Sequence, residues 1–97
     1  MLSGKQRRYL RGLGHHLDPV VHVGKEGLSE GLLGALDAAL LTHELIKVRI
    51  AESVGDDRHS VAQALAEATS AELAQVLGRT FLLYRRRAEE PAIQLPQ

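Results

Sequence analysis

Several residue types and segments are missing or scarce in this chain of 97 residues, and these shortages limit its possible structures and functions. There is no cysteine, which excludes a disulfide framework, a thiolate nucleophile and cysteine-ligated zinc. Only three aromatic residues are present, so we expect an aliphatic core. No run approaches the ~20 apolar residues of a membrane span, and no apolar segment of a signal peptide follows the basic start. We therefore expect a single cytoplasmic domain.

Motifs of catalysis and metal binding are also missing from the sequence. The five histidines include no His-x-x-x-His pair: His15 and His16 are adjacent and diverge on a helix, and the other three lie in different predicted elements. There is no Gly-Lys-Ser/Thr ending of a nucleotide P-loop and no Gly-x-Ser-x-Gly nucleophile elbow. The sequence therefore predicts no catalytic residue, no metal site and no cofactor.

The charges of the chain balance to zero, but they are unevenly distributed. Residues 1–25 hold five basic side chains and a single acidic one, Asp18, for a net charge of +4. Residues 85–87 are three consecutive arginines. Because a polyanion meets a local face rather than the whole molecule, a neutral total is compatible with nucleic-acid binding.

A basic helix is predicted from Ser3 to about His15, with Ser3 and Gln6 spaced as a capping box. A helical projection places its cations opposite an apolar face. The cations are Lys5, Arg8 and Arg11, with Arg7 on the flank, and the apolar face holds Gln6, Tyr9, Leu10 and Leu13. This basic stripe is either an RNA-binding face or an ordinary solvated surface, and the sequence leaves both open.

A Gly-x-x-Gly loop, Gly24-Lys25-Glu26-Gly27, joins a short apolar strand at Val20–Val23 to a helix with Ser29 as its N-cap. Glycines permit a sharp turn that brings backbone N–H groups close to a ligand. The following helix adds unpaired N–H groups and the positive end of its dipole, which together suit a phosphate. By itself the motif is weak, because a plain strand-to-helix turn has the same pattern.

The remaining chain predicts alternating strands and helices. Residues 44–51 alternate as a strand, with Lys47 and Arg49 facing away from Ile46 and Val48. A third helix and a hairpin around Gly78-Arg79 follow. The continuously apolar run 81–84 is typical of a central strand. The predicted fold class is α/β, with the order α-β-α-β-α-β-β. The four strands are expected to form a mixed sheet, and the second and third helices are expected to cover one face of that sheet.

Three segments in order closely resemble the CRM domain family, and in particular its stand-alone bacterial YhbY-like members. They are residues 24–31 (GKEGLSEG), 43–48 (HELIKV) and 76–85 (VLGRTFLLYR), and the likeness extends from Leu2 to about Arg86. Ser70 stands where the family commonly has a helix-ending glycine. We accordingly expect a CRM-like domain at 1–86 and a loosely ordered tail at 87–97.

The resemblance implies RNA binding without catalysis, most specifically on ribosomal RNA or precursor particles of the large ribosomal subunit. It also implies a fold similar to the C-terminal domain of translation initiation factor three. The family's binding loop corresponds to Gly24, Lys25, Glu26 and Gly27, and its basic first helix to Lys5, Arg7, Arg8 and Arg11. Lys47 and Arg49 are predicted to extend this surface. The alternative function is a protein-interaction module that docks on ribosomal proteins through its sheet or tail.

Overall fold

The computed structural model describes residues 2–24, 28–52, 54 and 57–97. The described elements follow the predicted order of the α/β fold class, and their bounds lie within a few residues of those expected. They are α1 (Gly4–Gly14), β1 (Pro19–Val23), α2 (Glu30–His43), β2 (Leu45–Ile50), α3 (Arg58–Ala68), β3 (Glu72–Leu77) and β4 (Thr80–Tyr84).

The strands form one mixed sheet in the order β1-β2-β4-β3. β1 runs parallel to β2, whereas β4 is antiparallel to both of its neighbours, β2 and β3. The apolar run of β4 is therefore paired on both edges, and Phe81, Leu82, Leu83 and Tyr84 are all buried. The sequence prediction of a central strand at this position is confirmed.

One face of the sheet, termed the inner face, is covered by α2 and α3. Its core contains Ile46, Val48 and Ile50 of β2, which alternate along the strand as predicted. Leu36 and Leu40 of α2 are completely buried against it. The α3 residues Ala62, Leu65 and Ala66 belong to the same cluster. The prediction that the second and third helices share one face is confirmed.

The opposite face, termed the outer face, is partly covered by α1. Leu10 is fully buried there, and Gly14 packs so closely that an added Cβ would lie 2.5 Å from Leu82 Cδ1. Tyr9 and Leu13 were predicted to share the buried face of α1, but they are 42% and 38% exposed. The helix is rotated relative to that prediction because the small Gly14, rather than Leu13, provides the close approach to the sheet.

Each helix begins with a side-chain cap. Ser3 and Gln6 form the predicted capping box, in which each side chain accepts a hydrogen bond from the other residue's backbone N–H. Ser29 Oγ accepts from Leu32 N at 3.1 Å, which confirms Ser29 as the N-cap of α2. Asp57 caps α3.

Residues 87–97 contact the domain through Glu44, the buried C-cap residue of α2. The carboxylate of Glu44 accepts hydrogen bonds from the backbone N–H groups of Arg87, Ala92 and Ile93, at 2.8, 2.7 and 2.8 Å. Ile93 and Leu95 also pack on the outer-face cluster with Leu10. The segment predicted as a loosely ordered tail thus has defined contacts, whereas its degree of order in solution stays a prediction.

Candidate nucleic-acid interface

The predicted cations of α1 are presented in two different ways. Lys5, Arg8 and Arg11 are exposed along the helix. Arg7 is half-buried, and its guanidinium donates a hydrogen bond to the carbonyl oxygen of Leu73 in β3. Arg7 therefore ties α1 to the sheet, and three exposed cations remain on the helix surface.

Lys47 and Arg49 point to the outer face, as their alternation with the inner-face residues of β2 predicts. Lys47 is half-buried and Arg49 is exposed. Neither forms an ion pair with Glu44 or Glu52 among the residues that the structure describes. The basic residues of α1 and β2 thus belong to the same side of the molecule. That Lys47 and Arg49 extend an RNA-binding surface stays a prediction.

The end of the outer face where β2 finishes is left open by α1. The register places His22, Arg49, Thr80 and Leu77 in one row across the four strands. His22, Arg49 and Leu77 are exposed, and Thr80 is half-buried. Cationic and polar side chains are therefore accessible on the sheet surface itself.

The predicted glycine loop begins at this same end of the sheet. Val23 pairs with Ile50, and the Val23 carbonyl accepts from Ala51 N at 2.9 Å. Gly24 follows directly and is exposed. Lys25, Glu26 and Gly27 lie outside the described residues, so the geometry proposed for the loop stays a prediction. The elements before and after it, β1 and the Ser29-capped α2, are those that the motif predicts.

A cleft of about 400 Å³ lies between α1 and the outer face. Arg11 and His15 line it from the helix, and Lys47 lines it from β2. Gln75 and Thr80 line it from β3 and β4. No carboxylate is among its lining residues in the described part of the chain. Sequence reasoning did not single out Gln75 and Thr80, because their approach to α1 depends on how the helix docks.

The helical projection placed Tyr9 on the apolar face of the first helix. It is exposed on α1, between positions that carry cations, whereas Tyr84 is buried as expected. Burial raises the pKa of the Tyr84 hydroxyl, and the nearby charge of Glu44 raises it further. Tyr9 is thus the accessible tyrosine of the two.

Two of the three consecutive arginines at 85–87 form hydrogen bonds with other residues of the domain. Arg85 Nη1 pairs with Asp37 Oδ1 at 2.7 Å and also donates to Thr69 O. Arg87 donates to the carbonyl oxygens of Leu41 and Thr42 at the end of α2. Arg86 is exposed. The run therefore contributes less free positive charge than the sequence suggested.

Metal-ligating side chains are dispersed in the part of the chain that the structure describes. No group of three or more His, Cys, Asp or Glu residues is arranged there to hold a metal ion. Among the same residues, no helix has both the length and the apolarity needed to cross a membrane.

Comparison with known proteins places this geometry in a family. The family model for the CRS1 / YhbY (CRM) domain matches residues 2–85. The chain is 40% identical over 96 residues to the Bacillus subtilis protein named "Probable RNA-binding protein YqeI", covering 99% of this chain and 100% of that protein. It is 44% identical over 96 residues to a Haemophilus influenzae protein named "RNA-binding protein", covering 99% and 96% of the two chains.

A solved structure agrees with these sequence matches. The solution structure of SAV1595 from Staphylococcus aureus, described as a candidate RNA-binding protein, superposes with a TM-score of 0.84 at 44% identity. The superposition covers 99% of this chain and 100% of that one. The element order, the mixed sheet and a family match over nearly the whole chain thus lead to one conclusion: this chain belongs to the CRS1/YhbY (CRM) domain family.

Proposed function

We propose that this protein binds RNA without catalysing a reaction, and that its target is ribosomal RNA in precursors of the large ribosomal subunit. The observation that carries the proposal is the placement of five exposed or half-exposed cations on the α1 side of the sheet. They are Lys5, Arg8, Arg11, Lys47 and Arg49. The names of the two relatives support RNA as the partner.

The proposed mechanism is recognition of the phosphate backbone. Cations that neutralise phosphates release condensed counterions, so the affinity rises as the salt concentration falls. The glycine loop at 24–27 contributes backbone N–H groups and Lys25 beside the N-terminus of α2, where an anion is favoured. The acidic side chain of Glu26 within the motif would oppose this contribution. A Gly-x-x-Gly loop that clamps nucleotide backbone also occurs in KH domains.

Charge reversal on α1 tests the proposal. We expect Arg8→Glu with Arg11→Glu to remove most RNA affinity, because two phosphate contacts are replaced by repulsion at exposed positions. The matched control is Arg58→Glu with Arg86→Glu, which changes the net charge equally at two exposed arginines outside the proposed surface. Filter binding measures the affinity, and circular dichroism verifies the fold. Equal affinity of the two double variants would mean that the α1 stripe is only a solvated face.

Substitution in the glycine loop tests the second part of the mechanism. Lys25→Asp with Glu26→Asp keeps both glycines but surrounds the loop amides with negative charge. The loss of one phosphate contact should weaken binding and flatten the plot of log affinity against log salt by about one unit. The folding stability should change by less than roughly 0.5 kcal/mol. Wild-type affinity and slope would instead identify the loop as a plain turn.

The choice of ribosomal RNA rests on the family resemblance, and the cytoplasmic location goes with it because ribosomal precursors are its proposed partners. Crosslinking the protein to RNA in cells and mapping the crosslinked sites tests this choice. Crosslinks concentrated on large-subunit ribosomal RNA are expected. Crosslinks spread over messenger RNAs would leave RNA binding intact but remove the ribosomal assignment.

A second candidate function, docking on ribosomal proteins, is favoured by one observation. An apolar cleft of about 410 Å³ lies on the other flank of α1, lined by Leu13, Leu17, Val20, Leu45 and Ile93 among others. Leu13 and Val20 are 38% and 51% exposed. An apolar contact depends little on ionic strength, whereas phosphate binding weakens steeply with salt. The salt titration used for the variants above therefore separates the two functions.

A further inference from the structure

The cleft between α1 and the outer face combines charged and neutral polar groups in a way that the proposed backbone recognition does not require. Its floor is formed by the side chain of Leu82, which is buried. The register places Lys47, Leu82 and Gln75 in one row across the sheet, and Thr80 in the next row. Arg11 and His15 form the wall on the helix side.

The charged groups of the cleft suit a phosphate at its rim. Arg11 and Lys47 approach it from two different elements, and none of its lining residues is acidic in the described chain. Two other clefts differ in this respect. The apolar cleft on the other flank of α1 includes Asp18, and a cleft along α3 includes Glu67. Charge complementarity therefore favours a polyanion in the cleft between α1 and the sheet.

The neutral groups suit the edge of a base. The amide of Gln75 supplies both donors and an acceptor, the combination with which proteins bind base edges. The hydroxyl of Thr80 donates to Leu77 O at 2.9 Å, which leaves its oxygen lone pairs as acceptors. The phosphodiester of RNA has no donor, so an acceptor in the cleft suits the donors of a base or of the ribose 2′-hydroxyl.

The size of the cleft sets the form of the ligand. About 400 Å³ lies in the range of pockets that hold small molecules, and one nucleotide is of that size. Bases within an A-form duplex are stacked and paired, and only single strands, loops and bulges can place a base into a cleft. The Arg11 guanidinium, which is exposed at the wall, offers a planar surface on which such a base can stack.

We propose that this cleft binds one unstacked nucleotide of single-stranded RNA. Arg11 and Lys47 hold its phosphate, while Gln75 and Thr80 contact the base edge. The inference rests on the RNA binding proposed above and adds to it a preference for single-stranded over duplex RNA.

The test uses two substitutions that remove the polar groups and leave the charge unchanged, Gln75→Leu with Thr80→Val. The probes are an unstructured single-stranded RNA of mixed sequence and the blunt duplex of the same strand. Wild-type protein should bind the single strand more tightly. The double variant should lose about tenfold in affinity for the single strand, with unchanged affinity for the duplex and an unchanged salt slope. Lys47→Gln should instead reduce the salt slope by about one unit.

The matched control is Gln63→Leu with Thr42→Val, the same two changes at exposed positions on α3 and α2. Thr42 Oγ1 donates to a backbone carbonyl as Thr80 Oγ1 does, so the control loses the same kind of bond. This control should bind both RNAs like the wild type. The two single variants at Gln75 and Thr80 decide the matter if thermal unfolding shows the double variant to be unstable.

Two results would contradict the proposal that this cleft binds a nucleotide. One is wild-type affinity of the Gln75 and Thr80 variants for the single strand. The other is an equal loss on single strand and duplex, which would mean that the cleft contacts only the backbone. Failure of the proposed function itself has a different signature, in which wild-type protein binds neither RNA in a salt-dependent manner.

Discussion

Glu44 is an acidic residue that is fully buried and yet charged in the folded protein. It ends α2 with a φ of +62°, a region that side-chain-bearing residues rarely adopt. Burial alone would raise the pKa of its carboxyl group. Backbone hydrogen bonds from Arg87, Ile93 and Ala92, together with the positive charge of Arg87, outweigh burial and lower the pKa below the ordinary value. The same hydrogen bonds stabilise the unusual backbone conformation.

Replacement of this carboxylate should destabilise the protein in a pH-dependent manner. Glu44→Gln puts an amide NH₂ group against backbone N–H donors, and we expect a loss of about 2 kcal/mol in the free energy of unfolding near neutral pH. Because the pKa is lowered by folding, the contribution of Glu44 is present above about pH 4.5 and is lost as the pH falls through the folded-state value. Urea unfolding of both proteins at neutral and acidic pH measures it.

The control for this experiment is Glu89→Gln, the same change at an exposed residue of the same segment. It should alter the stability by less than about 0.5 kcal/mol. A difference between wild type and Glu44→Gln that stays constant from neutral to strongly acidic pH would contradict a charged Glu44.

At the scale of residues, the sequence predicted which cations of α1 are exposed, but it did not predict which arginines form hydrogen bonds within the fold. The stripe of Lys5, Arg8 and Arg11 is exposed as predicted, because helical periodicity alone determines it. The engagement of Arg7 with Leu73 and of Arg85 with Asp37 was not predictable. Those partners are distant in sequence, and an arginine that binds a carbonyl oxygen looks the same in sequence as one that binds phosphate.

Among the elements, α3 ends in a way that the sequence did not suggest. Ala71 N donates to Ala66 O at 2.8 Å and Ser70 N donates to Glu67 O at 3.2 Å, the two hydrogen bonds of a Schellman motif. Ser70 occupies the left-handed position of the motif, with a φ of +57°. A glycine is usual there. The turn between α3 and β3 therefore has the same geometry that a glycine would give it. The positive φ costs the serine conformational energy, because its Cβ is sterically crowded there.

Glycine at this corner should stabilise the protein. We expect Ser70→Gly to raise the free energy of unfolding by roughly 0.5–1 kcal/mol, because glycine adopts a positive φ without steric cost. In a domain of this size the melting temperature should rise by about 4 °C. Thermal unfolding followed by circular dichroism measures the change.

The same substitution in the first turn of α3 provides the contrast. Ser60 lies in the helix and its hydroxyl donates to Asp57 Oδ2, so Ser60→Gly should lower the stability by about 1 kcal/mol. If Ser70→Gly also lowered the stability, the left-handed conformation of Ser70 would be contradicted.

The elements themselves were largely predictable, whereas their contacts across the outer face were not. Alternation in β2 and the apolar run of β4 determine which sides of these strands are buried. The docking of α1 depends on Gly14 meeting Leu82, a contact between residues far apart in the chain. The cleft that includes Gln75 and Thr80 follows from that docking, so sequence periodicity gave no sign of it.

For the whole molecule, the net charge of zero conceals an uneven distribution of charge. Exposed cations lie on α1 and on the outer face of β2. Acidic residues occur elsewhere, such as Glu67 on α3 and Asp37 on α2, which pairs with Arg85. A polyanion that approaches α1 and β2 therefore meets a basic surface, and this attraction weakens as salt is added.

The position of β4 in the sheet has a consequence for synthesis on the ribosome. β4 is the last strand of the sheet along the chain, yet it lies between β2 and β3. These two strands do not pair with each other, so β3 is connected to the rest of the sheet through β4. The nascent chain can pair β1 with β2 early, but the sheet closes only after Tyr84 has left the ribosome. At about 5–20 residues per second, the edge of β2 stays unpaired with β4 for a few seconds, during which another strand or a chaperone can bind to it.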